Sequence, residues 1–137
     1  MNKFQIFFTL AILLFAGIMA GNADSRDKCM PDAIYHEGRS QSFKGQIAIG
    51  NVIKNRAKRK HKSVCEITHE HKQFSYLNHG ALLVDDKKAY ELAEKAAAAS
   101  YDVTGGAVFY NTVKQGVKWG GHHPVVIDGH VFYRGKV

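Results

Sequence analysis

The feature that most constrains the fold is a change of period partway along the chain. From Ser42 to about Lys60 apolar residues return at helical spacing, with Ile49, Val52 and Ile53 on one face. Lys58, Arg59, Lys60 and Lys62 crowd the far end, where positive charge suits the helix dipole. Asp27 to Tyr35 reads as a shorter helix before it, with Ile34 and Tyr35 inward and Pro31 tolerable in the first turn. A further helix runs from about Asp85 to Ser100, striped by Leu92, Ala96 and Ala99 and favoured by its alanine run. The stretch between the second and third helices reads as loop. Beyond Asp102 the texture becomes that of strands: Ala107 to Tyr110, then Val125 to Ile127 and His130 to Tyr133 around an Asp128-Gly129 turn. Helices first and a small antiparallel sheet last define an α+β domain, each kind of element packing as its own layer. A chain of 137 residues accommodates one such domain rather than two.

The N-terminus begins Met1-Asn2-Lys3 and continues from Phe4 to Ala20 without a charge, which is the pattern of an export signal. Gly21 and Ala23 satisfy the small-x-small rule, so residues 1–23 are expected to be a leader and residues 24–137 the mature domain. Cleavage after Ala20 is the near alternative. Retention as an N-terminal membrane anchor is the other, although the stretch is marginal against the ~20 residues that span hydrocarbon. In each case the working domain is exported, to the periplasm, the wall or the medium. Cys29 and Cys65 are then expected to be bridged, closing a loop of about 35 residues worth on the order of 3 to 4 kcal/mol.

The net charge of +7 points to an acidic partner. Nucleic acid, anionic lipid and bacterial wall polymers all satisfy that, and charge alone does not choose. The run from Lys54 to Lys62 reads as a solvated helix end, or functionally as electrostatic retention on acidic wall polymers or lipid. Glu37 lies in Tyr35-His36-Glu37-Gly38-Arg39, at a junction between helices. A glutamate there can be partly desolvated and so hold a proton near neutral pH, with Tyr35 as an apolar wall. By residue type alone, a solvated helix-end glutamate is the commoner outcome.

A wider set of blocks bears on that choice. Cys29-Met30-Pro31-Asp32-Ala33-Ile34-Tyr35-His36-Glu37-Gly38-Arg39, Gly45-Gln46-Ile47-Ala48-Ile49 and Asn55-Arg56 come first. Val64-Cys65-Glu66-Ile67, Gln73-Phe74-Ser75-Tyr76, Thr104-Gly105-Gly106-Ala107-Val108-Phe109-Tyr110 and Gly129-His130-Val131-Phe132-Tyr133 follow in order. Together they resemble the cell wall hydrolase family that includes the spore cortex-lytic enzymes, over nearly all of Cys29 to Arg134. The resemblance implies a lysozyme-like α+β domain that cuts peptidoglycan between N-acetylmuramic acid and N-acetylglucosamine. It aligns Glu37 with the catalytic glutamate. It further implies a lytic transglycosylase, in which one glutamic acid protonates the glycosidic oxygen and the muramoyl 6-hydroxyl attacks the anomeric carbon. Hydrolysis would usually employ a second carboxylate about 5 to 9.5 Å away.

Three departures from the family pattern matter. Gln41 stands where a second glutamate is common, which favours the single-acid route, while Asp85, Asp86 and Asp102 remain candidates for a partner carboxylate. Gly38 replaces alanine. Tyr76 replaces tryptophan, a conservative change because both rings stack on sugars. The resemblance makes Gln73, Ser75 and Tyr76 one wall of the substrate cleft, with Phe74 in the core. Tyr110, Trp119 and Tyr133 are the remaining aromatic candidates for sugar contact, with core packing the competing role. Arg39, Asn55 and Arg56 read as structural ties.

The histidines make a rival constellation. His69 with His71, His122 with His123, and His36 and His130 would suit a zinc-dependent wall amidase, but none sits at a strong metal-ligand spacing, so no metal or other cofactor is expected. A non-catalytic cationic wall-binding module is the other alternative. A basic nuclease using the histidines and Asn111 is disfavoured, and neither a nucleic-acid partner nor an oligomer is expected.

Overall fold

The computed structural model describes residues 28–70 and 84–137. The leader and the cleft candidates Gln73, Ser75 and Tyr76, with Phe74 and His71, lie outside the described residues. Among those described, no helix is long and apolar enough to cross a membrane. The order is α1 (Cys29–Gly38), α2 (Phe43–Lys60), α3 (Val64–Thr68), α4 (Lys87–Ala97), β1 (Phe109–Thr112), β2 (His122–Ile127) and β3 (His130–Arg134). The strands form one antiparallel sheet in the order β1-β3-β2.

Helix α2 is the spine. Ser42 caps it by accepting from the Gly45 amide at 3.2 Å. At its far end the chain turns through His61 at φ 52, and the His61 amide donates to carbonyls of the last turn. Its apolar face, Ile49, Val52 and Ile53, is buried as expected, against Ile34 and Tyr35 of α1 and Ala93 and Ala96 of α4. Gly50 permits the close approach of α1, since a Cβ there would lie 3.1 Å from Cδ1 of Ile34. Cys29 and Cys65 are bridged, tying the start of α1 to α3.

Three elements depart from expectation. Helix α1 runs on to Gly38, so Glu37 lies within its last turn rather than beyond it. The stretch expected to be loop contains α3, whose start is a capping box: Ser63 accepts from the Glu66 amide, and Glu66 accepts from the Ser63 amide. In α4 the buried residues are Ala93 and Ala96, while Leu92 is exposed.

The sheet is fastened to α2 at several places. Asp128, at φ 49 in the β2–β3 turn, accepts the Ser42 amide at 2.8 Å, so the hairpin tip sits on the α2 N-terminus. Hydrogen bonds from the Ser42 hydroxyl and then from its amide hold the Asp128 carboxyl below the usual carboxylate range. Farther along α2, Asn51 donates to the Tyr101 carbonyl at 3.0 Å and Asn55 to the Ala107 carbonyl at 2.9 Å. These bonds fix the 101–107 loop and with it the start of β1. Asn55 is the structural tie that its position suggests.

Candidate active site

Glu37 reaches the site by being in the last turn of α1, where it is half-buried. From the sheet, β1 supplies Tyr110, whose hydroxyl is hydrogen-bonded to the Glu37 carboxyl. The Tyr110 ring stacks on Phe132 of β3, centroids 5.5 Å apart, with the His130 ring 5.9 Å away. Burial, with the negative charge of Glu37 beside it, pushes the Tyr110 phenol well above its ordinary value. Tyr110 therefore remains a proton donor toward Glu37 throughout the useful pH range. Sugar contact is expected of Tyr110 from its sequence context, which does not anticipate this bond to Glu37. No local signal announces it, because the two residues lie in different elements far apart in the chain.

The other candidate carboxylates are committed elsewhere. Asp85 accepts a short bond from the Tyr35 hydroxyl and another from Arg39 at 2.7 Å, which hold it below the usual carboxylate range. Asp86 caps α4 by accepting from the Ala89 amide at 3.0 Å. Asp102 accepts from Asn55 at 3.0 Å, from the Thr104 amide and hydroxyl at 2.7 and 2.6 Å, and from the Gly106 amide at 3.0 Å. Burial alone would raise the Asp102 pKa, but those bonds outweigh it and lower the value. Each carboxylate thus has a structural role. Beside Gly38, the side-chain oxygen of Gln41 is buried and has no hydrogen-bond partner among the described residues. A carboxylate in its place would be a buried, unpaired charge, whereas the amide is neutral.

The remaining aromatic candidates divide. Tyr133 has no exposed surface, its hydroxyl accepts from Asn111 at 2.8 Å, and its ring covers Gly121. A ring with no exposed face has none to offer a sugar, so Tyr133 is a packing residue and not the cleft residue expected. The cause is strand alternation: Tyr133 pairs with Phe109, on the face opposite Tyr110 and Phe132. Trp119 is 69% exposed and rests on Phe109, centroids 5.4 Å apart, at φ 55. Its free face can stack on a saccharide. Arg39 is a tie, as expected, binding Tyr35 at 3.0 Å as well as Asp85.

The histidines are dispersed. His36 packs edge-on against Tyr35, and burial lowers its pKa. His69 contacts the Cys65 carbonyl at the end of α3. His122 and His123 contact each other through Nδ1 at 2.6 Å on exposed β2. Among the described residues no group of three or more His, Cys, Asp or Glu side chains could hold a metal ion. An open depression lined by Arg39, Ser40 and residues Asp85 to Ala89 includes neither Glu37 nor Tyr110.

Two solved structures share the fold. The catalytic domain of the germination-specific lytic transglycosylase SleB from Bacillus anthracis is similar with a TM-score of 0.67 at 23% identity, over 84% of this chain and 98% of that one. The catalytic domain of the Bacillus cereus SleB protein gives 0.66 at 23% identity, over 88% and 98%. Among curated proteins none matches the chain. Residues 40–133 match the family described as Cell Wall Hydrolase, a match that begins three residues after Glu37. With roughly two-thirds of its length inside that match, and the lysozyme-like α+β fold around it, the chain belongs to the cell wall hydrolase family and is a peptidoglycan-cleaving enzyme.

Proposed function

We propose that the protein cuts peptidoglycan glycan strands between N-acetylmuramic acid and N-acetylglucosamine as a lytic transglycosylase, with Glu37 as the one acid–base group. The supporting observation is the Glu37–Tyr110 pair, a half-buried carboxyl held by a phenol that stays protonated, while the other candidate carboxylates serve structural bonds. Glu37 gives its proton to the glycosidic oxygen as the bond to C1 of the muramoyl residue breaks. The carboxylate then takes the proton of the muramoyl 6-hydroxyl as that oxygen bonds C1, closing the 1,6-anhydro ring and restoring the acid. No water is consumed. Tyr110 orients the carboxyl and donates to it while it is charged. Trp119 offers a stacking face, and Gln73, Ser75 and Tyr76 are carried over from the resemblance as the other wall.

Residues 1–23 are the export leader in this reading, placing the domain on the wall side of the membrane. The net charge of +7 suits acidic wall polymers or anionic lipid as a secondary contact. The test is mass spectrometry of peptidoglycan digested by the wild type and by Glu37→Gln. Anhydro-muramic ends that vanish in the variant support the proposal. Reducing muramic ends mean hydrolysis, released stem peptides mean an amidase, and equal cleavage by both proteins removes Glu37 from the mechanism.

A further inference from the structure

Behind Tyr110 lies a cluster of charge that the cleavage chemistry does not use. Arg56 is 7% exposed, with its guanidinium carbon 5.6 Å from the centre of the Phe109 ring. Its charge acts on the Tyr110 hydroxyl, the group bonded to Glu37. On its other side, Nη2 of Arg56 is 3.8 Å from Oε2 of Glu70. Glu70 also accepts from Lys60 at 3.0 and 2.8 Å and from Lys62 at 3.0 Å. Three cations thus share one carboxylate.

A buried guanidinium carries a desolvation cost of several kcal/mol, so a helix tie alone is a poor reason for one here. Its position has a second effect. A positive charge near a carboxyl favours the ionised form, which is the wrong direction for a group that must begin the reaction protonated. Glu70 opposes this. We propose that Glu70 is a positioning residue of the cleavage site, the counterion that offsets Arg56 behind the Tyr110–Glu37 pair so that Glu37 retains its proton, with Lys60 and Lys62 holding it in place. The inference rests on Glu37 being the acid.

Other charged or titratable groups near the pair, among the described residues, include His130 of β3, Asp128 of the β2–β3 turn, which is held by Ser42, and His36 and Arg39 of α1. Arg39 is committed to Asp85. Burial alone would raise the Glu70 pKa, but the bonds from Lys60 and Lys62 outweigh it and lower the value.

The experiment follows the side-chain carboxyl of Glu37 by carbon NMR as a function of pH in the free protein, with the signal assigned by its loss in Glu37→Gln. Wild type, Glu70→Gln and Lys62→Met are compared. Glu70→Gln removes the anion, and the Glu37 midpoint should fall by roughly 0.5 pH unit; Lys62→Met removes a cation, and the midpoint should rise by roughly 0.2 unit. Loosened packing would move both variants the same way, so the opposite signs are the signature. Unchanged midpoints, or shifts of one sign, overturn the proposal. Lys62 is 44% exposed, so Lys62→Met keeps the fold, and the lack of any rise there is sufficient refutation even if Glu70→Gln fails to fold. Because the titration needs no substrate, a wild type that leaves peptidoglycan intact defeats the proposed function and not the charge coupling. Where cleavage is active, the limb of the rate profile that reports loss of the acid should move with the midpoints.

Discussion

Gly38→Ala tests how tightly the end of α1 is packed beside Glu37. In a helix alanine is worth up to about 1 kcal/mol over glycine, nearer 0.5 kcal/mol in a last turn. Against that, a Cβ on Gly38 would fall 2.5 Å from Cδ1 of Ile49, whose side chain is 2% exposed. The contact is far inside van der Waals distance, so the buried isoleucine must shift or repack to relieve it. Overpacking of this kind costs about 1 to 3 kcal/mol, so the steric effect wins and the net loss should be about 0.5 to 2.5 kcal/mol. In thermal melts with the disulfide intact, that is a drop in Tm of roughly 2 to 10 °C. The decisive comparison uses Ile49→Val, which removes the clashing methyl at a cost of about 0.5 to 1.5 kcal/mol by itself. In the Ile49→Val background, Gly38→Ala should become stabilising, giving a coupling energy of about 1 to 3 kcal/mol. The Cγ atoms of Gln41 and Gln46 would be 3.8 Å from the new methyl, an ordinary contact, and do not confuse the cycle. Equal effects of Gly38→Ala in both backgrounds would refute the reasoning.

Three further outcomes are expected. Tyr110→Phe keeps the ring stack on Phe132 and removes the bond to Glu37, worth about 1.5 to 3 kcal/mol for a charged partner, so peptidoglycan cleavage should fall roughly 10- to 100-fold in a turbidity assay. A smaller fall than about threefold with an unchanged Tm would mean the phenol is idle. Asp102→Asn should cost about 1 to 2 kcal/mol at neutral pH, discounted for the exposure of the carboxylate. Because the folded-state pKa of Asp102 is depressed, its contribution is present above the unfolded value of about 3.9 and is lost as pH falls through the folded one. Denaturation of the two proteins should therefore converge in acid, and a gap that stays constant from pH 7 to pH 2 contradicts the assignment. Trp119→Ala should change stability by less than about 1 kcal/mol, since the ring is mostly in water, yet weaken pelleting with peptidoglycan severalfold. Unaltered pelleting removes Trp119 from substrate binding.

Much of the architecture was legible before any coordinates, for local reasons. The apolar face of α2, the basic end of that helix and the Asp128-Gly129 hairpin are each written within a few residues, and Cys29 with Cys65 left a single pairing. The Ser63-x-x-Glu66 box that starts α3 is equally local, a helix start inside a stretch whose remaining composition is that of a loop. Strand starts were less secure: β1 begins at Phe109 rather than Ala107, since Ala107 and Val108 are taken up by contacts to Asn55 and Tyr133 before the ladder starts.

The chain's own order of residues determined which segments coil, which pair, and that Glu37 stands at a helix end, because those outcomes depend on neighbours three or four positions away. Only the tertiary structure decided that Tyr110 meets Glu37, that Tyr133 is sealed beneath Gly121, and that Arg56 and Glu70 lie behind the pair. The first two are matters of strand register and facing, where a shift of one residue exchanges the buried and the exposed face, and the third depends on how two helices are brought together; nothing local records either.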